Sequence, residues 1–564
     1  MSAKLTYTSR KPKLLRRGRL CRHVWGACTT ALLIALLRPA LANETVTDDH
    51  PRNDQKSGRL LIGLIDTGFD IHHPDLRLDG ESRILRLWDQ RDYSRHNGPD
   101  HRSAVYESTE LDSDYKMTDR EGHGTASASA LFSTEYGGVP AEGDLVCVCI
   151  PEGAGPEKIV EAIAFIRATA EKLRRPYLLN LSIGFSAGAR DGETDELEYE
   201  ISRLFRTDSL GLFRQAITAA GNFNYDSTAA SDLFTAHLSI SGAVTMANRR
   251  AHARGHRRGS FRVIMQTTPE IGDDLCTIEI WYPASKPYTI AITTPNQAVV
   301  LSAGPGQVWV PDKSHVVSQF GSVEITDRGP VQGPGPEPPQ WASTSIVMKD
   351  DTAGYGPLHP GTWTIELLSG EGTWDAYVTG VHPRQCVKSI HREDVNNECT
   401  LANGANCVEA ITVGAYNPCS ECTWSDHDGH NVSYDGYLPE NTISHFSSRG
   451  PTRSGVDKPD VYAPGQCRKV ALSRNIADDI RAEIDDNHLR TNDDQHWIAE
   501  GTSYAAPYVT AIVSRLLAIR PCLTPRDIKQ ILVSTADFKF GDPELLLRVN
   551  CEKAIRAAKA GHCE

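Results

Sequence analysis

The amino-acid sequence predicts an α/β fold, a parallel sheet covered by helices, with an antiparallel β-sandwich inserted into it. Three observations predict this. Short runs such as "GRLLIGLID" (58–66), "RPYLLNLSIGF" (175–185) and "RQAITAAGN" (214–222) are apolar almost throughout, as expected of parallel strands buried on both faces. The stretches "HGTASASA" from 123 and "TSYAAPYVTAIVSRLLAI" from 502 are small or apolar on nearly every side, which marks helices inside a domain. Between 250 and 385 the texture changes to short β-type runs ("CTIEIWYPA", "YTIAITTP", "GTWTIELLSG", "TWDAYVTGV") separated by Gly, Pro and Asp turns, the pattern of a sandwich.

With 564 residues the chain is too long for one compact core, and 40% hydrophobic with 23% charged residues is a globular composition. Residues 1–42 stand apart. They carry nine Lys/Arg and no acid, then the short apolar core "ACTTALLIALL" and the small-residue site "ALA". That is the layout of a secretory signal peptide, whose apolar core is too short to span a bilayer. Residues 43–57 follow as a short mature N-terminal segment. Without the signal, 50 basic residues face 72 acidic ones, a formal charge of −22, which disfavours nucleic acid and anionic lipid as partners. The expected location is secreted or periplasmic, with no stable membrane span.

Twelve of the fourteen cysteines lie beyond residue 42, and an even count in an exported chain suggests disulfides. Cys147 and Cys149 alternate in "DLVCVCI" and read as buried packing residues, whereas Cys386, Cys399, Cys407, Cys419 and Cys422 are the expected bridge candidates. "CSECTWSDHDGH" (419–430) carries zinc-ligand residue types, but one C-x-x-C without a second matched pair is a weak metal signal, and export favours a disulfide.

Four positions carry candidate chemistry. Asp66 ends the first buried strand, where sites form in open α/β sheets. His123 sits between two glycines and opens a small-residue helix. Asn222 follows the third strand, as a turn residue or as an amide that donates to an oxyanion. Ser503 stands at the mouth of the apolar helix. There it is either a helix cap, a role Thr502 fills equally well, or a nucleophile at the positive end of the helix dipole. Pro507 reads as lying near the first turn, where a missing N–H costs little.

Taken together, "DTGFDIHHPDL", "GHGT", "LSIGF", "AAGN" and "GTSYAAPYV", supported by "ITVGAY", "ISHFSSRGPT", "KPDVYAPG" and "LTPRDIKQIL", occur in the order found in the subtilisin-like serine proteases, which this chain resembles. The resemblance implies a subtilisin-like parallel sheet sandwiched by helices and an Asp66–His123–Ser503 triad. It further implies an oxyanion hole from Asn222 and the Ser503 N–H, and a substrate strand at Ser182, Ile183, Gly184 and Phe185. It implies an exported serine endopeptidase acting on protein or peptide substrates, with no required cofactor. Calcium is common in the family, but no matched ligand loop is legible here. The alternatives are a catalytically silent binding or scaffold protein, or a protease whose inserted sandwich recognises substrate. Three features depart from the family pattern: Ala126 replaces the second histidine of H-G-T-H, Phe185 stands where glycine is usual, and 43–57 is too short for a folding prosegment. From Asn222 to Ser503 the spacing is 281, far more than the core needs. The expected organisation is therefore protease domain at 58–249 and 386–564, with a jelly-roll-like insertion at 250–385 similar to that of the Csp-type bacterial branch.

Overall fold

The computed structural model describes residues 59–100, 102–185, 188–206, 213–223, 251–256, 259–265, 275–295, 300–304, 308–309, 322–335, 338–349, 358–368, 373–380, 387–390, 398–435, 439–538 and 546–561. The expected signal peptide, the segment 43–57 and Cys386 lie outside them. Eight strands build the main sheet: β1 (Leu61–Asp66), β2 (Ile84–Asp89), β3 (Ala104–Glu107), β4 (Asp144–Cys149), β5 (Tyr177–Leu181), β6 (Arg214–Ala219), β7 (Ile411–Tyr416) and β8 (Val461–Pro464). Their order is β8-β7-β6-β5-β1-β4-β2-β3. Every pairing is parallel except that of β3 with β2 at one edge.

The apolar run of β1 is continuous because both faces are covered. Leu61 and Ile65 join one core with Ile159, Ile163 and Ile166 of helix α2 (Pro156–Leu173) and Leu197 and Ile201 of helix α3 (Glu196–Arg206). Ile62 and Leu64 join the other, with Val509, Ile512 and Leu516 of helix α4 (Thr502–Ile519). On the α2 side Gly63 leaves no room for more, since a Cβ there would lie 2.6 Å from Ile166. Cys147 and Cys149 point into the α4 core as reduced thiols, as the sequence predicted.

The chain leaves β4 on one side of β1 and returns as β5 on the other. This places a switch point beyond the carboxyl ends of β1 and β5, where α/β folds form their crevices. Asp66 and Ser182 lie at those two ends.

The second body is an antiparallel sandwich of a five-stranded and a six-stranded sheet, closed over Ile278, Ile280, Ile290, Ile325, Ile346, Trp363 and Ile365. Its last strand, Val387–Ile390, pairs with Gly259–Met265 and carries the sandwich past the expected boundary at 385. Where the protease-like body is interrupted, the two flanking segments meet. The Ala402 N–H donates to the Ala220 carbonyl at 2.8 Å, and Phe223 packs with Leu401, Ala402 and Ala405.

The sandwich also docks on the loop that follows Phe185. Glu279 accepts a hydrogen bond from the Gly188 N–H (3.2 Å), and the Arg190 guanidinium lies 3.4 Å over the Tyr377 ring. Arg453 and Asp375 form an ion pair with both side chains 1% exposed, and Arg453 also lies over Trp341.

Of the bridge candidates, Cys422 does form a disulfide, with Cys467, 45 residues on and outside the cluster, whereas others need correction. Cys407 is a buried thiol donating to the Glu198 carbonyl, and Cys419 is also reduced. A disulfide partner is chosen by which strands the fold brings side by side, and sequence clustering does not report that.

Candidate active site

The site begins with a carboxylate that the sequence puts at a strand end and the fold buries. Asp66 is 2% exposed, and both its oxygens lie 2.9 Å from the His123 Nδ1. One oxygen also accepts the Thr67 N–H. His123 is the first residue of α1 (His123–Ala130), entered from Gly122 at φ +80°. The helix approaches β1 so closely that a Cβ on Gly124 would stand 2.0 Å from the Gly68 carbonyl oxygen, hence the glycine after the histidine.

Asp119, absent from the sequence-level site, fixes this turn. It accepts from the Gly122 N–H (2.9 Å), the Thr125 N–H (2.9 Å) and the Thr125 hydroxyl (2.6 Å). Its signal is the Asp-x-x-Gly-His spacing, legible only once the loop geometry is known.

Burial alone would lower the His123 pKa, but the charge and hydrogen bond of Asp66, with Glu121 and Asp119 behind it, outweigh burial and raise it. The second ring nitrogen, Nε2, is buried and has no hydrogen-bond partner among the described residues. Two further carboxyls, close in sequence to His123 and to Ser503, are shifted upward. Burial, reinforced by Glu152 and Asp66, pushes Glu121 up to about 7, and burial pushes Glu500 up to about 8.

Ser503 is the second residue of α4, and Gly501 occupies the cap position with no side-chain cap bond. Of the two readings offered for this position, a side-chain cap from Thr502 or Ser503 is therefore the one the structure excludes. Pro507 lies inside the helix rather than at its first turn. Lacking an N–H, it cannot bond the carbonyl four residues back, which is that of Ser503. The Ser182 hydroxyl supplies the missing donor at 2.8 Å, and is itself held by the Asn180 amide, whose oxygen accepts from Thr510 of the same helix. In the reverse direction the Ser503 hydroxyl donates to the Ser182 carbonyl at 2.7 Å.

Asn222 reaches the same helix mouth. Its Oδ1 accepts from both the Thr502 N–H and the Thr502 hydroxyl at 2.9 Å, so its amide NH2 is turned away from Thr502. The strand behind it is pinned by Ser448, whose N–H donates to the Gly221 carbonyl and whose hydroxyl accepts from the Phe223 N–H. Ser448 belongs to the "ISHFSSRGPT" motif, whose structural role here is to hold the turn at Gly221 and Phe223.

Of the expected substrate strand, Ser182 therefore touches Ser503, and Ile183 is buried at 7% exposure. Gly184 lies against Ala402, where a Cβ would approach to 2.8 Å. Phe185 pairs with Asn403, whose N–H donates to its carbonyl at 2.8 Å. Phe223 is core packing, in contact with Leu401 and Ala402. Ala126, at the position of the second histidine, packs with Tyr504.

The fold is that of an α/β protein whose switch point carries the Asp66–His123 pair at the end of β1 and Ser503 against the end of β5. The model of the subtilase family (peptidase S8) matches residues 58–305 and 386–553, and the chain belongs to that family. It is 32% identical over 160 residues to the serine protease AprX of Bacillus subtilis, a stretch of 28% of this chain and 32% of that protein. It is 35% identical over 101 residues to the subtilisin-like protease SBT3 of Solanum lycopersicum, covering 18% and 13% of the two chains. The chain thus spans a third or less of the length of these relatives. The structure of the Clostridium perfringens CspB protease superposes with a TM-score of 0.62 at 18% identity, over 89% of this chain and 95% of that one, a likeness of fold that includes the inserted sandwich region. Among the described residues no helix is long and apolar enough to cross a membrane.

Proposed function

We propose that the chain is an exported serine endopeptidase that hydrolyses peptide bonds through an acyl-enzyme on Ser503. The observation that carries this reading is His123. It is gripped by the Asp66 carboxylate through Nδ1, while Nε2 is buried with no partner among the described residues. A buried, unpartnered imidazole nitrogen costs stability, and proton transfer to and from a bound reactant is the use that repays it.

In the reaction His123 Nε2 takes the Ser503 proton as Oγ attacks the scissile carbonyl, then returns it to the leaving amine. Asp66 holds the ring in the Nδ1–H tautomer and stabilises the imidazolium. The Asn222 amide and the Ser503 N–H, a donor left open at the helix start, receive the oxyanion. The strand from Ser182 to Phe185 lies alongside the serine and would pair with an extended substrate. Export by a signal peptide at 1–42 is supported by its charge layout and by the Cys422–Cys467 disulfide, which suits an oxidising compartment.

One observation favours the silent-protein alternative: the Ser503 hydroxyl bonds the Ser182 carbonyl rather than His123. Catalytic hydrogen bonds often form only with substrate bound, so this resting contact leaves the peptidase reading standing. Hydrolysis of a denatured protein substrate by the purified mature chain, lost in both Ser503→Ala and His123→Ala, supports the peptidase. A folded chain that cleaves no peptide in a diverse library supports the alternative.

A further inference from the structure

Away from this site, the tip of one hairpin gathers metal-ligating groups from two distant segments. Strands Glu421–Ser425 and Asn431–Asp435 pair antiparallel, and "DHDG" turns the chain between them. Asp426 organises the turn. Its Oδ1 accepts from the Asp428 N–H (3.1 Å) and the His430 N–H (2.7 Å), and Gly429 supplies the positive φ of +80°. The other oxygen, Oδ2, is thereby aimed away from the turn. The His430 Nδ1 approaches it at 3.2 Å and the His488 Nδ1 at 2.8 Å. His488 arrives from behind the helix Asp478–Asp486, and its carbonyl accepts from the Trp424 indole at 2.8 Å. The Asp426 side chain is fully buried, whereas His430 and His488 are 67% and 53% exposed.

We propose that Asp426, His430 and His488 form a binding site for Zn2+, with Oδ2 and the two Nδ1 atoms as ligands and water in the fourth position. One ligand atom from each residue lies within 4.8 Å of the others. A tetrahedral zinc with bonds of about 2.0–2.1 Å needs ligand edges of roughly 3.3–3.4 Å. The two contacts to Oδ2 reach that length by opening roughly 0.1–0.2 Å at His430 and 0.5–0.6 Å at His488, and rotation of the exposed imidazoles sets the third edge, between their nitrogens. The ligand set of two imidazoles and a carboxylate suits zinc over calcium or magnesium, which take oxygen ligands. The backbone bonds to Oδ1 supply the outer-shell orientation that metal-binding carboxylates commonly have. On binding, each ring places its lone pair at Nδ1 and carries its proton on Nε2, which faces solvent.

The metal would tie the hairpin tip to residue 488, as the Cys422–Cys467 bond already ties its base to the segment entering β9 (Arg468–Ala471). That strand pairs with β10 (His496–Ala499), which leads directly to Ser503. Occupancy would therefore stiffen the wall from which the catalytic helix starts.

The test uses the full mature chain carrying Ser503→Ala, to prevent self-digestion, stripped with chelator and dialysed. Zn2+ is titrated calorimetrically and Co2+ by its visible absorption. The expected result is one saturable site, a tetrahedral Co2+ spectrum, and a rise in Tm with Zn2+. His430→Ala and His488→Ala, at exposed positions that leave the turn intact, should each weaken binding by about 10-fold or more and abolish the Tm rise. Absence of saturable binding in the parent, or equal affinity in the parent and both variants, overturns the proposal.

Discussion

Ser182 and Ser503 hold each other by two crossed hydrogen bonds: each hydroxyl donates to the other's backbone carbonyl, at 2.8 and 2.7 Å. One of these bonds exists because Pro507 leaves the Ser503 carbonyl without a helical donor. The segment after β5 and the start of the helix Thr502–Ile519 are thus stitched together at Ser182 and Ser503. Ser182→Ala removes the donor and leaves that buried carbonyl unpaired, which should cost about 1–3 kcal/mol. Thermal or urea unfolding measures the loss. A variant as stable as the parent would mean that another group or water takes the place of Ser182.

Asn222→Ala should lower kcat by roughly 10²–10³ with little change in KM, because an oxyanion bond forms chiefly in the transition state. The asparagine also accepts two hydrogen bonds from Thr502, so a modest fall in Tm should accompany the kinetic loss. A loss found only in KM would assign Asn222 to ground-state binding.

The pH profile follows from the sign of the His123 shift. Asp66 and its acidic neighbours raise the histidine pKa, and a general base works only when unprotonated, so activity appears as pH rises through that raised value. The midpoint of the acid limb of kcat/KM should lie above about 6.5. Asp66→Asn should move it down while lowering the plateau. Glu121, held near 7, titrates in the same window, so Glu121→Gln should simplify the limb to a single ionisation. A rate flat from pH 5 to 9 contradicts a histidine base.

Arg453 and Asp375 join the inserted sandwich to the protease body through a fully buried ion pair. Removing one partner strands the other charge, and either Arg453→Ala or Asp375→Ala should cost about 3–5 kcal/mol. The double variant should cost less than the sum of the two. Additive losses would show that the two residues do not act as a pair.

These relationships mark what the sequence disclosed. Hydrophobic patterning places Asp66, His123 and Asn222 at strand ends or a helix start, but their candidacy rested on the ordered subtilisin-like motifs around them. The sandwich was legible because period-two patterning broken by turns differs so clearly from buried parallel strands. Pro507 was misread because a helix start is hard to place within a turn, and one turn decides whether proline removes an intrahelical bond. The Cys422–Cys467 pairing and the Asp119 anchor were not legible, since both depend on loops meeting in space. The rotamer of Ser503 is set by the Ser182 carbonyl, for which no sequence pattern exists.

The central claim, that Ser503 is a nucleophile activated by His123, is tested most directly by stoichiometric labelling with a fluorophosphonate probe followed by peptide mapping. The account predicts covalent modification of Ser503 alone in the mature chain, none in Ser503→Ala, and a loss of labelling rate of several orders of magnitude in His123→Ala. A correctly folded chain that takes up no probe at Ser503, or takes it up equally fast without His123, would contradict it.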